Sequence, residues 1–238
     1  MVRLKNNKFI CGDTMKKYQE NIIPALNQNK VNVFDKEGND GLKILFVGNS
    51  ITRHAPKPEV GWLNDCGMAA SSIEKDYVHL LMEKVRTVDK DASFQIAQVA
   101  EYEWNFLKQL PNEFSAWQKS ADYRADIIIM FFGANVNADY DTDPNPAITF
   151  GEAYEKMRNF FATNPNAVFF HSQGFYIRPK LDAEKKAVAE KYGDVFISLE
   201  HIVHRDETHG MFNHPSDLGM QEIAYTFWEY IERIITNK

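Results

Sequence analysis

Three short stretches of the chain set reactive side chains beside glycine or proline: Gly48-Asn49-Ser50-Ile51-Thr52, Gly133-Ala134-Asn135 and Asn213-His214-Pro215-Ser216-Asp217. A serine hydroxyl is a poor nucleophile until a base takes its proton, and the oxyanion formed when it attacks a carbonyl must be met by preorganised N–H donors. Ser50, His214 and Asn135 have the side chains for those three roles: nucleophile, base and amide donor. Each stretch alone has a plainer reading, as a helix cap, a turn and a structural histidine. It is their coincidence that points to chemistry.

The elements that must position these residues can be read from hydrophobic period. Continuous apolar runs at Lys43–Val47, Phe94–Val99, Asp126–Phe132, Ala167–Phe170 and Asp194–Ser198 predict five strands, and KILFV and DIIIMFF lack the polar alternation of a half-exposed strand. Helical patterns at Lys75–Thr87, Gly151–Phe161 and Ala183–Tyr192 alternate with them, and a closing amphipathic helix opens at Pro215-Ser216-Asp217. The order predicts an α/β fold: a three-layer α/β/α sandwich around a five-stranded parallel, flavodoxin-like sheet. In such sheets ligands bind at the carboxyl ends of the strands, where Ser50 and Asn135 fall. The Ser50 backbone N–H and a helix following it are further expected donors to the oxyanion. Residues 1–41 read as an N-terminal extension packed on the domain, with a helix through Met15–Leu26 and a short strand near Val31–Phe34; residues 42–238 form the domain itself.

The string Ile44-Leu45-Phe46-Val47-Gly48-Asn49-Ser50-Ile51-Thr52 resembles the first block of the SGNH/GDSL hydrolases, Gly133-x-Asn135 resembles their G-x-N-D block, and His214-Pro215-Ser216-Asp217-x-Gly219-Met220 their last. The resemblance spans roughly residues 42–236. It implies an esterase or lipase of small esters with Ser50 as nucleophile, His214 as base, and Asn135 with the Ser50 N–H in the oxyanion hole.

Two positions depart from the family pattern. The usual aspartate three residues before the histidine is Met211 here, so the orienting acid comes from elsewhere, with Asp206 favoured over Glu207, or a backbone carbonyl takes its place in a Ser–His dyad. The usual second-block glycine has no clear counterpart in Ala97-Gln98-Val99-Ala100-Glu101-Tyr102, leaving the N–H of Ala100 or a neighbour as the candidate donor.

The rest of the sequence narrows the partners. With 27 Lys+Arg against 33 Asp+Glu, a net charge of -6 and no basic block, nucleic acid is not expected. Cys11 and Cys66 stand alone, and no apolar run has the length of a membrane span, so a soluble protein is expected, cytoplasmic or exported after loss of a signal peptide. His201, His204, His209 and His214 with Asp206 and Glu207 are the densest set of metal-ligand types, but they occupy one segment, and neither metal nor cofactor is expected. His54, His79 and His171 read as structural, although His54, four residues past Ser50, could line a pocket. Trp62 and Trp104 are the candidate substrate-binding aromatics, and Arg53–Ser72 is long enough to shape a site. The expected substrate is a small or carbohydrate ester, with O-deacetylation of a carbohydrate favoured. The alternative is a non-catalytic glycan-binding module, or a flavin- or phosphate-binding one that uses the Ser50 and Thr52 hydroxyls.

Overall fold

The computed structural model describes residues 31–108 and 114–236. Its strands are β1 (Lys43–Gly48), β2 (Ser93–Gln98), β3 (Ile127–Phe131), β4 (Val168–Ser172) and β5 (Val195–Ile197), all parallel in the order β2-β1-β3-β4-β5. All five coincide with the apolar runs; β1 from Ile44 to Val47 and β3 throughout are apolar, as strands covered on both faces require, while β2 also buries Ser93 and Gln95 and β4 also buries His171 and Ser172. Alternate residues feed two cores. Ile44, Phe46, Ile127 and Ile129 pack on one face, under α1 (Tyr77–Val88) and the closing helix; Leu45, Val47, Ile128 and Met130 pack on the other, under α5 (Phe150–Phe161) and α6 (Pro179–Tyr192). This is the expected three-layer sandwich.

Four shorter helices complete the set among the described residues: α2 (Ala100–Asn105), α3 (Gln118–Asp122), α4 (Asp139–Thr142) and α7 (Glu200–Val203). The closing helix, α8, runs Asp217–Ile235, and the Ser216 side chain caps it by accepting the Gly219 N–H. Helix α5 opens on a capping box between Thr149 and Glu152. Helix α6 begins a turn earlier than its apolar pattern, with Pro179 in its first turn, where a missing N–H costs nothing.

The expected helix through Met15–Leu26 lies outside the described residues. Residues 31–37 run antiparallel along β2: Gln98 N–H donates to Asn32 O at 2.8 Å, Phe34 N–H to Ile96 O at 3.0 Å and Glu37 N–H to Phe94 O at 2.9 Å. They cover an edge that would otherwise present unpaired backbone. Among the described residues, no helix is long and apolar enough to cross a membrane.

Candidate functional site

The chain runs from β1 to β2 on one side and then returns to β3 on the other, so the carboxyl ends of β1 and β3 flank the point where the winding reverses. Ser50 and Asn135 leave these two ends. Past β1 the backbone turns tightly, with Thr52 and Arg53 N–H both donating to Asn49 O at 2.9 and 3.0 Å. Gly48 is required there, because a Cβ would stand 1.8 Å from Thr52 Oγ1. No α-helix follows Ser50. The bonds close a turn at Thr52, and the chain continues into the irregular 53–72 segment, so the expected helix N-terminus is not available to an oxyanion.

The C-terminal end of that segment is fastened to the site twice. Met68 N–H donates to Ser50 O at 2.8 Å, while Ser71 N–H and Oγ–H both donate to the Asp217 carboxylate at 2.6 Å. Asp217 opens α8, so one helix start ties the segment to the turn carrying His214.

Ser50 Oγ lies 2.9 Å from His214 Nε2. On the far side of the ring, Nδ1 is 3.0 Å from Phe212 O and 3.1 Å from Tyr176 OH. Phe212 and Asn213 both have positive φ, 55° and 59°. Non-glycine residues rarely adopt that conformation, and the two-residue turn folds the Phe212 carbonyl back onto the ring. Burial pulls the His214 pKa below its ordinary value; the Phe212 hydrogen bond opposes this, and the charge of His54 adds to it.

Asp206 does not reach the imidazole. It is exposed in the turn Asp206–Thr208, whose backbone is closed by His209 N–H on Asp206 O at 3.1 Å, and its carboxylate faces solvent. Glu207 is drawn to Arg205 at 2.9 Å. The Nδ1 partners are the carbonyl and the phenol.

Past β3, Gly133 adopts φ +125°, a conformation suited to glycine, and turns the chain so that Asn135 lines the same cavity as Ser50 and His214. Asn135 Nδ2 donates to Glu103 Oε2 at 2.5 Å, and its second N–H has no partner among the described residues. Glu103, on α2, is 1% exposed, and its Oε1 also accepts the Gly133 N–H and Asn49 Nδ2–H, the latter at 2.9 Å. Burial pushes its pKa up against the pull of these donors.

The cavity has a volume of about 230 Å³, and its wall also includes His54, Gln98, Ala100, Trp104 and, from the β2 edge segment, Asn32. Ala100 stands in the wall, but its N–H already donates to Gln98 Oε1 at 2.8 Å, so the expected oxyanion donor is occupied. Trp104 is 62% exposed at the rim. Trp62 is 2% exposed and outside the wall; its indole N–H holds His54 O at 3.0 Å, which makes it an anchor of the 53–72 segment instead of a substrate platform. Thr52 is buried and bonded to Tyr77 OH at 2.8 Å, so it cannot join Ser50 in a phosphate cradle.

The histidines read as a possible metal cluster take separate partners: His201 meets Thr226, His204 meets Glu200 and His209 meets Val203 O. Among the described residues, no three His, Cys, Asp or Glu side chains gather as metal ligands.

The backbone carbonyl allowed for in place of the acid is that of Phe212, while Glu103 and Tyr176 as an imidazole partner were not foreseen from the sequence. For Glu103 a signal existed: a carboxylate at a position whose helical neighbours Ala100 and Phe106 are apolar.

No protein-family model matches the chain, and no curated protein sequence matches it. Solved structures do. A two-domain esterase active on acetylated mannans superposes with a TM-score of 0.55 at 17% identity, over 82% of this chain and 49% of that one. A family two carbohydrate esterase from Cellvibrio japonicus gives 0.53 at 15% identity, over 84% and 63%. A protein described as a GDSL-like lipase from Bacteroides uniformis gives 0.51 at 16%, over 82% and 97%. The chain thus spans about half the length of the mannan esterase and nearly all of the lipase-like protein. With its five parallel strands in that order, the chain has the fold of the SGNH/GDSL hydrolases.

Proposed function

We propose that the protein is a serine esterase that removes small acyl groups, acetyl above all, from a carbohydrate. The observation that carries this reading is the 2.9 Å hydrogen bond between Ser50 Oγ and His214 Nε2, with the far ring nitrogen held by a carbonyl. A carbonyl can only accept, so Nδ1 bears the proton and Nε2 presents its lone pair to the serine. His214 takes the Ser50 proton as Oγ attacks the ester carbonyl. The oxyanion is met by the free N–H of Asn135 and the Ser50 backbone N–H. The imidazolium protonates the leaving alkoxide, and water, activated by the same ring, releases the acid from the acyl-enzyme.

The sugar assignment rests on the wall around Ser50. Trp104 offers an exposed ring at the rim, and Asn32, Gln98 and Glu101 supply polar groups suited to hydroxyls. The mannan esterase and the family two carbohydrate esterase support it at the level of fold.

The test is covalent and kinetic. A fluorophosphonate should label Ser50, and p-nitrophenyl acetate and an acetylated polysaccharide should both lose acetate. Ser50→Ala should lower turnover by several orders of magnitude with the fold intact. Absence of both labelling and hydrolysis in the parent overturns the reading. It would favour the second one, a glycan-binding module, for which the supporting observation is that His214 Nδ1 meets a carbonyl and a phenol, and no carboxylate among the described residues. Binding of an acetylated oligosaccharide with no acetate released would then be the outcome.

A further inference from the structure

Glu103 holds a position that packing alone does not explain. Leucine or methionine would fill a 1% exposed site on α2 at far less cost than a carboxylate, whose burial is tolerated only with dedicated donors. Those donors come from two different strand ends. Asn49, the residue before Ser50, and Gly133, which starts the turn carrying Asn135, share Oε1, while Asn135 itself donates to Oε2.

A carboxylate accepts and never donates when ionised, so it also decides which way the Asn135 amide faces. With Oδ1 turned towards Glu103, two electron-rich oxygens would confront each other. With Nδ2 turned there, one N–H is spent on Oε2 and the other projects from the same nitrogen. Asn49 links the same carboxylate to the backbone turn that sets Ser50, since its own Oδ1 accepts the Ile51 N–H at 3.2 Å.

We infer that Glu103 is a positioning residue that clasps the nucleophile turn to the oxyanion turn and fixes the Asn135 amide with a free N–H facing the reacting carbonyl. This rests on the esterase reading above. It assigns to a side chain on a third element the spacing between the attacking oxygen and the donor that must meet the resulting charge.

The experiment is Glu103→Gln in steady-state hydrolysis of p-nitrophenyl acetate, with folding checked by circular dichroism. Glutamine keeps the shape and one acceptor but sets an NH₂ group against that of Asn135. The kcat should fall roughly 10–100-fold with KM within about threefold, since the ceiling is the loss of one oxyanion donor. Added to Asn135→Ala, the change should deepen the loss less than about threefold, because both remove the same donor.

A Glu103→Gln kcat within about twofold of the parent, a loss carried by KM, or full additivity with Asn135→Ala overturns the positioning role. Should Glu103→Gln fail to fold, Asn49→Ala keeps the test, since it withdraws one donor and leaves the carboxylate those of Gly133 and Asn135. A kcat loss of about 3–10-fold at unchanged KM is then expected, and an unchanged kcat overturns the clasp. A parent with no activity and no fluorophosphonate label overturns the esterase reading and this role with it. An active parent with an unaffected Glu103→Gln overturns this role alone.

Discussion

The hydroxyl of Tyr176 stands 3.1 Å from Nδ1 of His214, on the same nitrogen that meets Phe212 O at 3.0 Å. Two neutral oxygens thus occupy the place of a carboxylate. They hold the ring and its tautomer, but they stabilise an imidazolium less than a full negative charge would. Tyr176 is a tyrosine by ionisation as well, since burial pushes its pKa up to about 12, and it does not supply a phenolate.

Tyr176→Phe removes one of the two acceptors and keeps the edge-on ring contact, whose centroids are 5.9 Å apart. The carbonyl still fixes the tautomer, so the loss should match one neutral hydrogen bond, about 1 kcal/mol or roughly fivefold in kcat. Steady-state kinetics checks this. A change confined to KM would move Tyr176 from the ring to the substrate.

The environment of His214 sets a pH dependence with a definite sign. The ring must be neutral to take the Ser50 proton, and its pKa is lowered by burial, with no carboxylate among the described residues beside it to offset that. Activity should therefore persist as pH falls past the ordinary histidine value, and the acid limb of kcat/KM should lie below 6.5. A limb above that value would mean that an anion faces the ring after all.

The double change Asp206→Asn with Glu207→Gln should leave turnover within about twofold of the parent. Both carboxylates lie on the surface, one towards solvent and one on Arg205, where solvent screening leaves such a pair little to contribute. A hundredfold loss with folding unchanged would restore one of them as the orienting acid.

What could be read in advance follows from how local each signal is. β1 and β3 announce themselves as unbroken apolar runs, and Ser50 and Asn135 leave their ends, so strand position and residue type sufficed. The Glu103 clasp depends on β1 and β3 being neighbours in space, so the apolar spacing of Ala100 and Phe106 around it marks burial but not the partners it holds. The Phe212 carbonyl has no side-chain signature at all. Its placement comes from two left-handed residues in succession, neither of them glycine. Asp206 misled because sequence proximity to His214 says nothing about direction, and the turn it sits in points the carboxylate outwards. Trp62 misled because a tryptophan in a long loop can serve the loop itself.

Far from Ser50 but connected to the cavity wall, His79 makes stability depend on pH. His79 on α1 lies 2.8 Å from Asp76 Oδ1 through Nδ1, and its Nε2 faces Glu37 at 3.8 Å, too far for a hydrogen bond but close enough for charge to act. Asp76 also accepts the Gly67 N–H at 3.1 Å, next to Met68 in the cavity wall, and Glu37 belongs to the segment along β2. Burial alone would lower the His79 pKa, but the two carboxylates outweigh it and lift it to about 9. A group whose pKa rises on folding stabilises the fold fully below its unfolded pKa, and that contribution is lost as pH climbs through the folded value. The His79 contribution should therefore be whole below about pH 6.5 and gone above about pH 9. Urea unfolding at pH 6 and pH 10 should show the parent losing more stability over that interval than His79→Gln, whose amide still reaches Asp76 but carries no charge. Equal losses in the two proteins would mean that His79 is neutral in the folded state and that Asp76 holds the Gly67 turn without it.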